Sequence, residues 1–252
     1  MKHVLFTVRV QQKLARDVWR MDLEGDVSAI SAPGQFVEVA LEGFFLRRPI
    51  SVCDCAADRL TLVYKVVGQG TEKMSRMAVG ERLDLLTGLG RGFSVEKGGD
   101  APLLIGGGVG VPPLYMLAKR LIDSGARPVA VLGFNRADEV FFAEEFKDLG
   151  VRVVLCTADG SAGERGFVTD VLPGGASFAY ACGPLPMLRA LERSLPRELA
   201  AEFSLEERMG CGFGACMGCS IQTRDGARRV CRDGPVFSRE MLLWTECREG
   251  VE

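Results

Sequence analysis

Four cysteines in the last quarter of the 252-residue chain have a spacing that suits metal–sulfur chemistry. Cys211, Cys216 and Cys219 follow the pattern C-x4-C-x2-C, and Cys231 comes after eleven further residues. This is the ligand order of plant-type ferredoxins, in which four thiolates complete the coordination of two bridged irons. Interleaved glycines would let one tight loop fold around the metal and bring backbone N–H groups near the sulfurs. The spacing therefore predicts a [2Fe–2S] cluster held by these four cysteines.

A structural zinc site is the main alternative for four such cysteines. Zinc sites of this kind usually use paired C-x2-C knuckles, which this segment lacks. Four unrelated buried cysteines are a second alternative, which the interleaved glycines make hard to accept. The other cysteines outside the predicted turns are most simply small apolar side chains in or near strands, namely Cys53, Cys55, Cys156 and Cys247.

The chain contains a single histidine, His3, close to its N-terminus. This argues against a His-rich zinc enzyme and against Ser–His or Cys–His nucleophilic catalysis. The chemistry therefore has to come from cofactors.

Two turns at the ends of predicted strands could bind a nucleotide. The first follows a strand at 102–105 and precedes a helix at 112–124, and it contains Gly106, Gly107, Gly108 and Gly110. The second ends a strand at 178–182 and consists of Cys182, Gly183 and Pro184. The strict G-x-G-x-x-G pattern is absent, so a purely structural role is the alternative for the first turn. Because both turns fall at the carboxyl ends of parallel strands, where ligands sit in open sheets, we favour a nucleotide site.

A third candidate site lies in the N-terminal part of the chain. Arg47–Arg48–Pro49–Ile50–Ser51 enters a strand, and arginine with a serine hydroxyl offers donors for phosphate. Gly68–Gln69–Gly70–Thr71 precedes a predicted helix at 72–77, with Thr71 as a candidate N-cap. Solvated surface arginines are the alternative interpretation.

The elements that must position these residues fall into three segments. Short alternating strands over residues 1–97 predict a small antiparallel β-barrel. Alternating strands and helices over residues 98–200 predict an α/β domain with a parallel sheet. Periodicity fades over residues 201–252, a segment with little apolar core that we expect a metal site to hold together.

Composition limits the possible partners. The net charge is −2, with 31 basic and 33 acidic residues interspersed, so we expect no nucleic-acid partner and no anionic membrane surface. The uncharged run at 101–118 is rich in glycine and proline, which favours a buried strand and turn over a membrane span. No signal peptide is evident, and we predict a cytoplasmic protein.

The motifs together resemble a known group of reductases. R-P-x-S at 48–51, G-x-G-T at 68–71, GGGVGVPPL at 106–114 and CGP-x-x-M at 182–187 are similar to the ferredoxin-NADP reductase superfamily. The cysteine loop and CRDGPVF at 231–237 more specifically resemble the electron-transfer subunits of NAD-dependent (class 1B) dihydroorotate dehydrogenases. The resemblance covers essentially the whole chain.

The resemblance implies a set of site residues. It places FAD against Arg48, Pro49, Ile50, Ser51, Lys65, Val66, Val67, Gly70 and Thr71. It places the nicotinamide nucleotide against Gly106, Gly107, Gly108 and Gly110, with Cys182, Gly183 and Pro184 near the nicotinamide and the flavin. It makes Cys211, Cys216, Cys219 and Cys231 the cluster ligands. The loop at 89–93 also resembles the family's loop that ends the barrel, except that Arg91 replaces a smaller polar residue.

The resemblance also implies an activity in pyrimidine biosynthesis. An FMN-containing catalytic partner would oxidise dihydroorotate to orotate, and electrons would pass through the [2Fe–2S] cluster and FAD to NAD⁺. The implied assembly is a heterotetramer with two copies of each subunit. Two alternatives stay open: the flavin and iron–sulfur subunit of an NADH-dependent ferredoxin-NADP or sulfide-type oxidoreductase, and a zinc-stabilised, nucleotide-binding regulator. The sequence leaves the choice between NAD and NADP open.

Overall fold

The computed structural model describes residues 1–244, so Cys247 lies outside the described residues. The first unit is a closed antiparallel barrel with the strand order β1-β2-β5-β4-β3-β6. Side chains alternate inward and outward along its strands, as in β6, where Leu83, Leu85 and Leu89 are buried. The strands are β1 (Lys2–Ala15), β2 (Val18–Glu24), β3 (Phe36–Ala40), β4 (Arg48–Ala56), β5 (Arg59–Lys65) and β6 (Arg82–Leu89), with helix α1 (Gln69–Ser75) between β5 and β6.

The second unit is an α/β layer built on a seven-stranded sheet with the order β10-β9-β8-β7-β11-β12-β15, in which β15 (Val236–Ser238) comes from the C-terminal segment. All of its neighbouring strands run parallel except β15, which is antiparallel to β12. Its inner strands are nearly continuous apolar runs, as expected for strands covered on both faces. The elements are β7 (Leu103–Gly107), α2 (Pro112–Asp123), β8 (Val129–Phe134), α3 (Ala143–Asp148), β9 (Arg152–Thr157), β10 (Glu164–Arg165), β11 (Ala179–Cys182), α4 (Leu185–Ser194) and β12 (Ala201–Ser204).

The C-terminal segment is small and packs onto this sheet. It consists of the hairpin β13 (Ser220–Thr223) and β14 (Gly226–Arg229), helix α5 (Val230–Asp233) and strand β15 (Val236–Ser238). Its buried residues share one hydrophobic core with the sheet and α4, including Ile221, Val230 and Phe237. The predicted fold class, an antiparallel barrel followed by a parallel-sheet domain and a small cysteine-rich domain, is confirmed.

Three details differ from the sequence expectations. Residues 201–204 form β12 inside the sheet, so we propose that the third segment begins after Ser204 rather than after Ala200. Helix α1 begins at Gln69, three residues before the predicted start, and Thr71 is therefore inside the helix. The prediction of Thr71 as the N-cap is wrong: Gly68 is the N-cap, and the Thr71 hydroxyl accepts the backbone N–H of Gly68 at 3.3 Å. None of the helices within residues 1–244 has the length and apolar character needed to cross a bilayer.

A buried acid fixes the connection between the barrel and the sheet. Glu202 on β12 is 4% exposed and accepts hydrogen bonds from the Ser94 backbone N–H, the Ser94 hydroxyl and the Lys97 ammonium at 2.7–2.9 Å. The Tyr180 hydroxyl on β11 donates to the Ser94 carbonyl oxygen at 2.6 Å. Hydrogen bonds to charged groups are stronger than neutral ones. The network therefore holds the segment that leaves the barrel against two strands of the sheet.

Arg239 ties the C-terminal segment to helix α4. Its guanidinium pairs with Glu192 at 2.8 Å and donates to the carbonyl oxygens of Glu192, Pro196 and Leu199, which lie at or beyond the helix C-terminus. We expect Arg239→Ala to lower the free energy of unfolding by about 2 kcal/mol, because the Glu192 carbonyl group in the last turn of α4 and those of Pro196 and Leu199 beyond it lose their donor. Chemical denaturation of the holoprotein measures this loss. Exposed Arg197→Ala is the control, and equal stability of the two variants would contradict the role of Arg239.

Candidate cofactor sites

The first two cysteines lie in one tight turn of residues 211–216. The backbone N–H groups of Ala215 and Cys216 point at the Cys211 sulfur, at 3.2 and 3.4 Å. Burial raises the pKa of the Cys211 thiol, but hydrogen bonds from the backbone N–H groups of Cys216, Phe213 and Ala215 outweigh burial and lower this pKa to about 6. Donors arranged in this way stabilise a thiolate, the form that binds metal.

The other two cysteines form a second pair. Cys219 ends the loop, and Cys231 lies on α5, whose first residue Val230 donates its backbone N–H to the Cys219 carbonyl oxygen at 3.0 Å. The Cys231 backbone N–H also points at the Cys219 sulfur, at 3.4 Å. Burial raises the pKa of Cys231 to about 12, and the neighbouring Cys219 adds to this effect. Arg229 stabilises the arrangement by donating to the Gly214 carbonyl oxygen at 2.8 Å.

The four thiols are therefore arranged two by two. The Cys216 side chain helps to lower the pKa of the Cys211 thiol, and the Cys219 side chain helps to raise that of the Cys231 thiol. A [2Fe–2S] cluster needs two thiolates on each of two irons, whereas a tetrahedral zinc site needs four around one ion. The donor set fits the two-iron group.

The barrel and the sheet enclose a cavity of about 390 Å³ between them, which we call the barrel cavity. Residues of β4, β5 and α1 form one wall, and residues at the ends of β11 and β12 form the other. The predicted FAD residues that line it are Arg48, Pro49, Ile50, Ser51, Lys65, Val67 and Thr71. The other two predicted FAD residues, Val66 and Gly70, do not line this cavity. The Val66 backbone N–H donates to the Asp17 carbonyl oxygen at 2.7 Å, and Gly70 is buried behind the Arg48 side chain.

The two neighbouring arginines have different environments. Arg47 pairs with Asp84 at 2.7 Å and also donates to backbone carbonyl groups of β3 and β6. The Arg48 guanidinium lies 4.7 Å above the Phe44 ring and rests against Gly70, where an added Cβ would come within 2.9 Å of Arg48 Cζ. Arg48 thus lies on the cavity wall with no carboxylate partner in residues 1–244, which leaves it suited to an anion.

A second cavity of about 550 Å³, which we call the sheet cavity, lies at the carboxyl ends of β7, β8 and β11. Gly107, Gly108 and Pro184 line it, and Lys65 and Val109 line both cavities, so the two are adjacent. Gly106, Gly110 and Gly183 are buried and do not line this cavity. A Cβ on Gly110 would come within 2.6 Å of the Gly183 Cα, so glycine is needed there for the two predicted turns to meet.

The comparisons with known proteins agree with this geometry. A sequence model of the iron–sulfur cluster binding domain of dihydroorotate dehydrogenase B matches residues 206–243. The chain is 46% identical over 246 residues to the dihydroorotate dehydrogenase B (NAD(+)) electron transfer subunit of Shouchella clausii, covering 92% of this chain and 94% of the relative. It is 45% identical to the Bacillus mycoides subunit of the same name, covering 90% and 93%.

The chain belongs to the family of dihydroorotate dehydrogenase B electron transfer subunits.

Solved structures agree with the family's fold. The NADH-dependent reduced ferredoxin-NADP oxidoreductase superposes with a TM-score of 0.87 at 29% identity, covering 95% of this chain and 90% of that chain. Phthalate dioxygenase reductase superposes with a TM-score of 0.63 at 17% identity, covering 87% and 86%, which shows a shared fold alone.

The structure changes the interpretation of several predicted residues. Cys182 lines the barrel cavity and not the sheet cavity, although the neighbouring Pro184 lines the sheet cavity. Arg91, the departure from the family's barrel loop, has an exposed side chain, and its backbone N–H bonds the Gly234 carbonyl oxygen at 2.6 Å. Arg91 therefore connects the barrel to the C-terminal segment through its backbone N–H, a contact that any residue except proline could make.

Sequence reasoning missed residues whose importance depends on tertiary contacts. Tyr64 and Ser204 also line the barrel cavity, and neither belongs to a recognisable motif. Glu206 and Met209 line it as well; they belong to the tail sequence that carries the family resemblance, but the resemblance predicts no cavity role for them. Glu38 on β3 is 1% exposed and lies against the cysteine loop. Burial raises the pKa of Glu38 to about 7; the nearby Cys211 adds to the rise, and Arg47 and Arg48 oppose it.

The buried Cys182 thiol should be chemically inert in the folded protein. Burial raises the pKa of Cys182 to about 12, and Glu206 adds to the rise while Ser204 opposes it. A raised thiol pKa means that the neutral form persists at pH 8, so we expect alkylation roughly a thousandfold slower than in the unfolded chain. Differential iodoacetamide labelling with mass spectrometry measures this ratio, with the unfolded protein as reference. Rapid labelling of folded protein at pH 8 would contradict the burial.

Proposed function

We propose that this chain is the electron-transfer subunit of an NAD-dependent dihydroorotate dehydrogenase, acting in pyrimidine biosynthesis. It would carry electrons from a catalytic partner subunit to NAD⁺, with a [2Fe–2S] cluster and FAD as its resident cofactors. The family membership and the relatives' name support the activity. The observation that carries the proposal is the succession of three sites in one chain: paired cysteines, the barrel cavity and the adjoining sheet cavity.

Each site has residues suited to one cofactor. Cys211, Cys216, Cys219 and Cys231 would hold the cluster, with backbone N–H groups of the 211–216 turn stabilising the first sulfur. In the barrel cavity, Arg48 would bind the phosphates of FAD, and Ser51, Lys65 and Thr71 would offer further donors. In the sheet cavity, the Gly107–Gly108 backbone and Pro184 would face the nicotinamide nucleotide.

The three neighbouring sites suit a protein that couples two-electron transfer to one-electron transfer. Conversion between two-electron nicotinamide chemistry and one-electron iron–sulfur chemistry is what a flavin supplies when bound. The residues of this chain would position the cofactors and exclude water, since Cys182 is buried and the barrel cavity has an apolar wall. No acid–base step by histidine is needed, in keeping with a single histidine in the sequence.

The partner is part of the proposal. The relatives are named as electron transfer subunits, which implies a catalytic subunit. We propose that the partner contains FMN and that two copies of each subunit form a heterotetramer, as the sequence resemblance implied. Co-expression with the candidate catalytic subunit, followed by mass determination of the native complex and flavin analysis, tests both statements.

One experiment tests the function as a whole. The complex is purified anaerobically, and iron, sulfide, zinc, FAD and FMN are measured together with NAD⁺-dependent orotate formation. We expect orotate formation only when both subunits are present, and a brown-yellow protein that contains iron. A colourless zinc protein would overturn the proposal in favour of a regulator. Reduction of ferredoxin with NADPH by the isolated chain would overturn it in favour of a ferredoxin-NADP type reductase.

A further inference from the structure

Glu38 occupies an unusual position for a carboxylate. Alternation along β3 points Val37 and Val39 into the barrel, which places Phe36 and Glu38 on the outer face of the strand. Outer positions of a small barrel are normally solvated. Here both are buried, because Phe36 packs in the core shared with the cysteine segment and Glu38 lies against residue 212. The cysteine loop covers this face of the barrel.

The Glu38 carboxyl is buried without a hydrogen-bond partner. The residue is 1% exposed, and neither carboxyl oxygen is hydrogen-bonded to any group in residues 1–244. Arg47, a neighbouring basic residue, donates to the Glu38 backbone oxygen and to Asp84 rather than to this carboxyl. Burying such a group is costly. A smaller apolar residue would fill this position at lower cost, so packing alone does not account for Glu38.

The contact between Glu38 and the loop is made at Gly212. Gly212 has a φ of +76°, and a Cβ at this position would come within 2.7 Å of the Glu38 Cδ. Gly212 lies directly between Cys211 and Phe213, whose backbone N–H is one of the donors that act on the Cys211 sulfur. A displacement of Gly212 therefore changes the hydrogen bonds to a cluster ligand, and such bonds tune the reduction potential of the metal.

We propose that Glu38 is a positioning residue for the iron–sulfur loop, and that its contact with Gly212 fixes the 211–216 turn on the flavin barrel. The inference rests on the proposed function, since it takes Cys211 as a cluster ligand. It adds a residue of the barrel, distant in sequence from the cysteines, to the set that determines the properties of the cluster. Glu38 acts through the loop and is not itself a ligand.

A rescue experiment tests the contact directly. Gly212→Ala should lower the iron-to-flavin ratio of the native complex roughly tenfold, since the new Cβ is strained at positive φ and meets the carboxyl. Glu38→Ala in the same chain makes room for this Cβ, so the double variant should recover a substantial part of the iron. Gly214→Ala is the matched control. Gly214 also has positive φ, +92°, but its added Cβ would meet Arg232 and not Glu38, so Glu38→Ala should not rescue it.

Single substitutions of Glu38 give a second readout, which does not depend on whether the loop tolerates a substitution at Gly212. Glu38→Ala should keep its cluster but shift the cluster's EPR g values and its midpoint potential, because the turn is no longer fixed. Glu38→Gln keeps the size of the side chain and should stay closer to the wild type. Exposed Glu144→Gln is the control for a lost surface charge and should change neither quantity.

The outcomes separate the two proposals. A wild-type complex without iron would overturn the proposed function, and this inference with it. A wild-type complex that holds the cluster, together with a Glu38→Ala variant of unchanged potential and EPR signal, would overturn the inference alone. Equal rescue of the Gly212 and Gly214 variants by Glu38→Ala would also overturn it, since the effect would then not depend on their contact.

Discussion

Cys216→Ser is expected to lower the iron and sulfide content of the native complex roughly tenfold or more. Residues that merely hydrogen-bond to metal ligands typically change metal affinity by about tenfold or more, and removal of a ligand itself should cost at least as much. FAD should stay bound, because the barrel cavity is formed by other elements and Cys216 is not among its lining residues. Iron and sulfide analysis, EPR of the reduced protein and flavin fluorescence after denaturation measure the two contents separately.

Cys55→Ser is the matched control for the loss of a thiol. Cys55 lies on β4, is half-buried and is distant from the paired cysteines in the sequence, so its variant should keep both cofactors. Simultaneous loss of iron and flavin from Cys216→Ser would contradict the division into separate sites. Full iron content in that variant would contradict the ligand assignment.

Arg48→Ala is expected to weaken FAD binding by about 2–3 kcal/mol, roughly 30- to 150-fold in Kd, through loss of a charge-assisted contact to phosphate. The structure supports this size of effect because the guanidinium is already held between the Phe44 ring and Gly70. Little side-chain entropy is then lost on binding. Titration of the flavin-free complex with FAD, followed by fluorescence quenching, measures the change.

Arg47→Ala is the natural control, since it removes the same charge one residue away. Arg47 is paired with Asp84, so its loss should act on barrel stability and leave the Kd for FAD within about threefold. Arg48→Lys should fall between wild type and Arg48→Ala, because lysine keeps the charge but not the planar fork. Equal FAD affinity of Arg48→Ala and the wild type would exclude Arg48 from phosphate binding.

The sequence is sufficient to predict those features that depend on residues close to one another in the chain. Cysteine spacing is set by how closely a single loop must wrap around a metal, and it can be read from residues 211–219 directly. The strand and helix at 103–123 follow from an apolar run, a glycine turn and prolines tolerated in the first helical turn. The barrel followed from alternating runs of the correct length.

Sequence reasoning failed where a residue's role depends on a distant partner. Strand β12 is four residues long, and only its pairing with β11 and β15 makes it part of the sheet. Glutamate is usually exposed, yet Glu202 is buried, and Ser94 and Lys97 donate hydrogen bonds to its carboxylate. The alternation of side chains along β3 predicts that Glu38 points outward into solvent, but the cysteine loop covers this position and buries it. No local pattern encodes these contacts.

The pairing of β15 with β12 has a consequence for attempts to shorten the protein. A chain cut after Ser204 would leave β12 as an edge strand: its four residues, all buried in the intact protein, would lose their cover, and Glu202, Phe203 and Ser204 would lose their pairing with β15. Exposed strand edges of this kind recruit other chains and promote aggregation. The C-terminal segment thus protects the sheet from self-association, and a soluble two-domain flavoprotein fragment will require a charged or proline substitution along that edge.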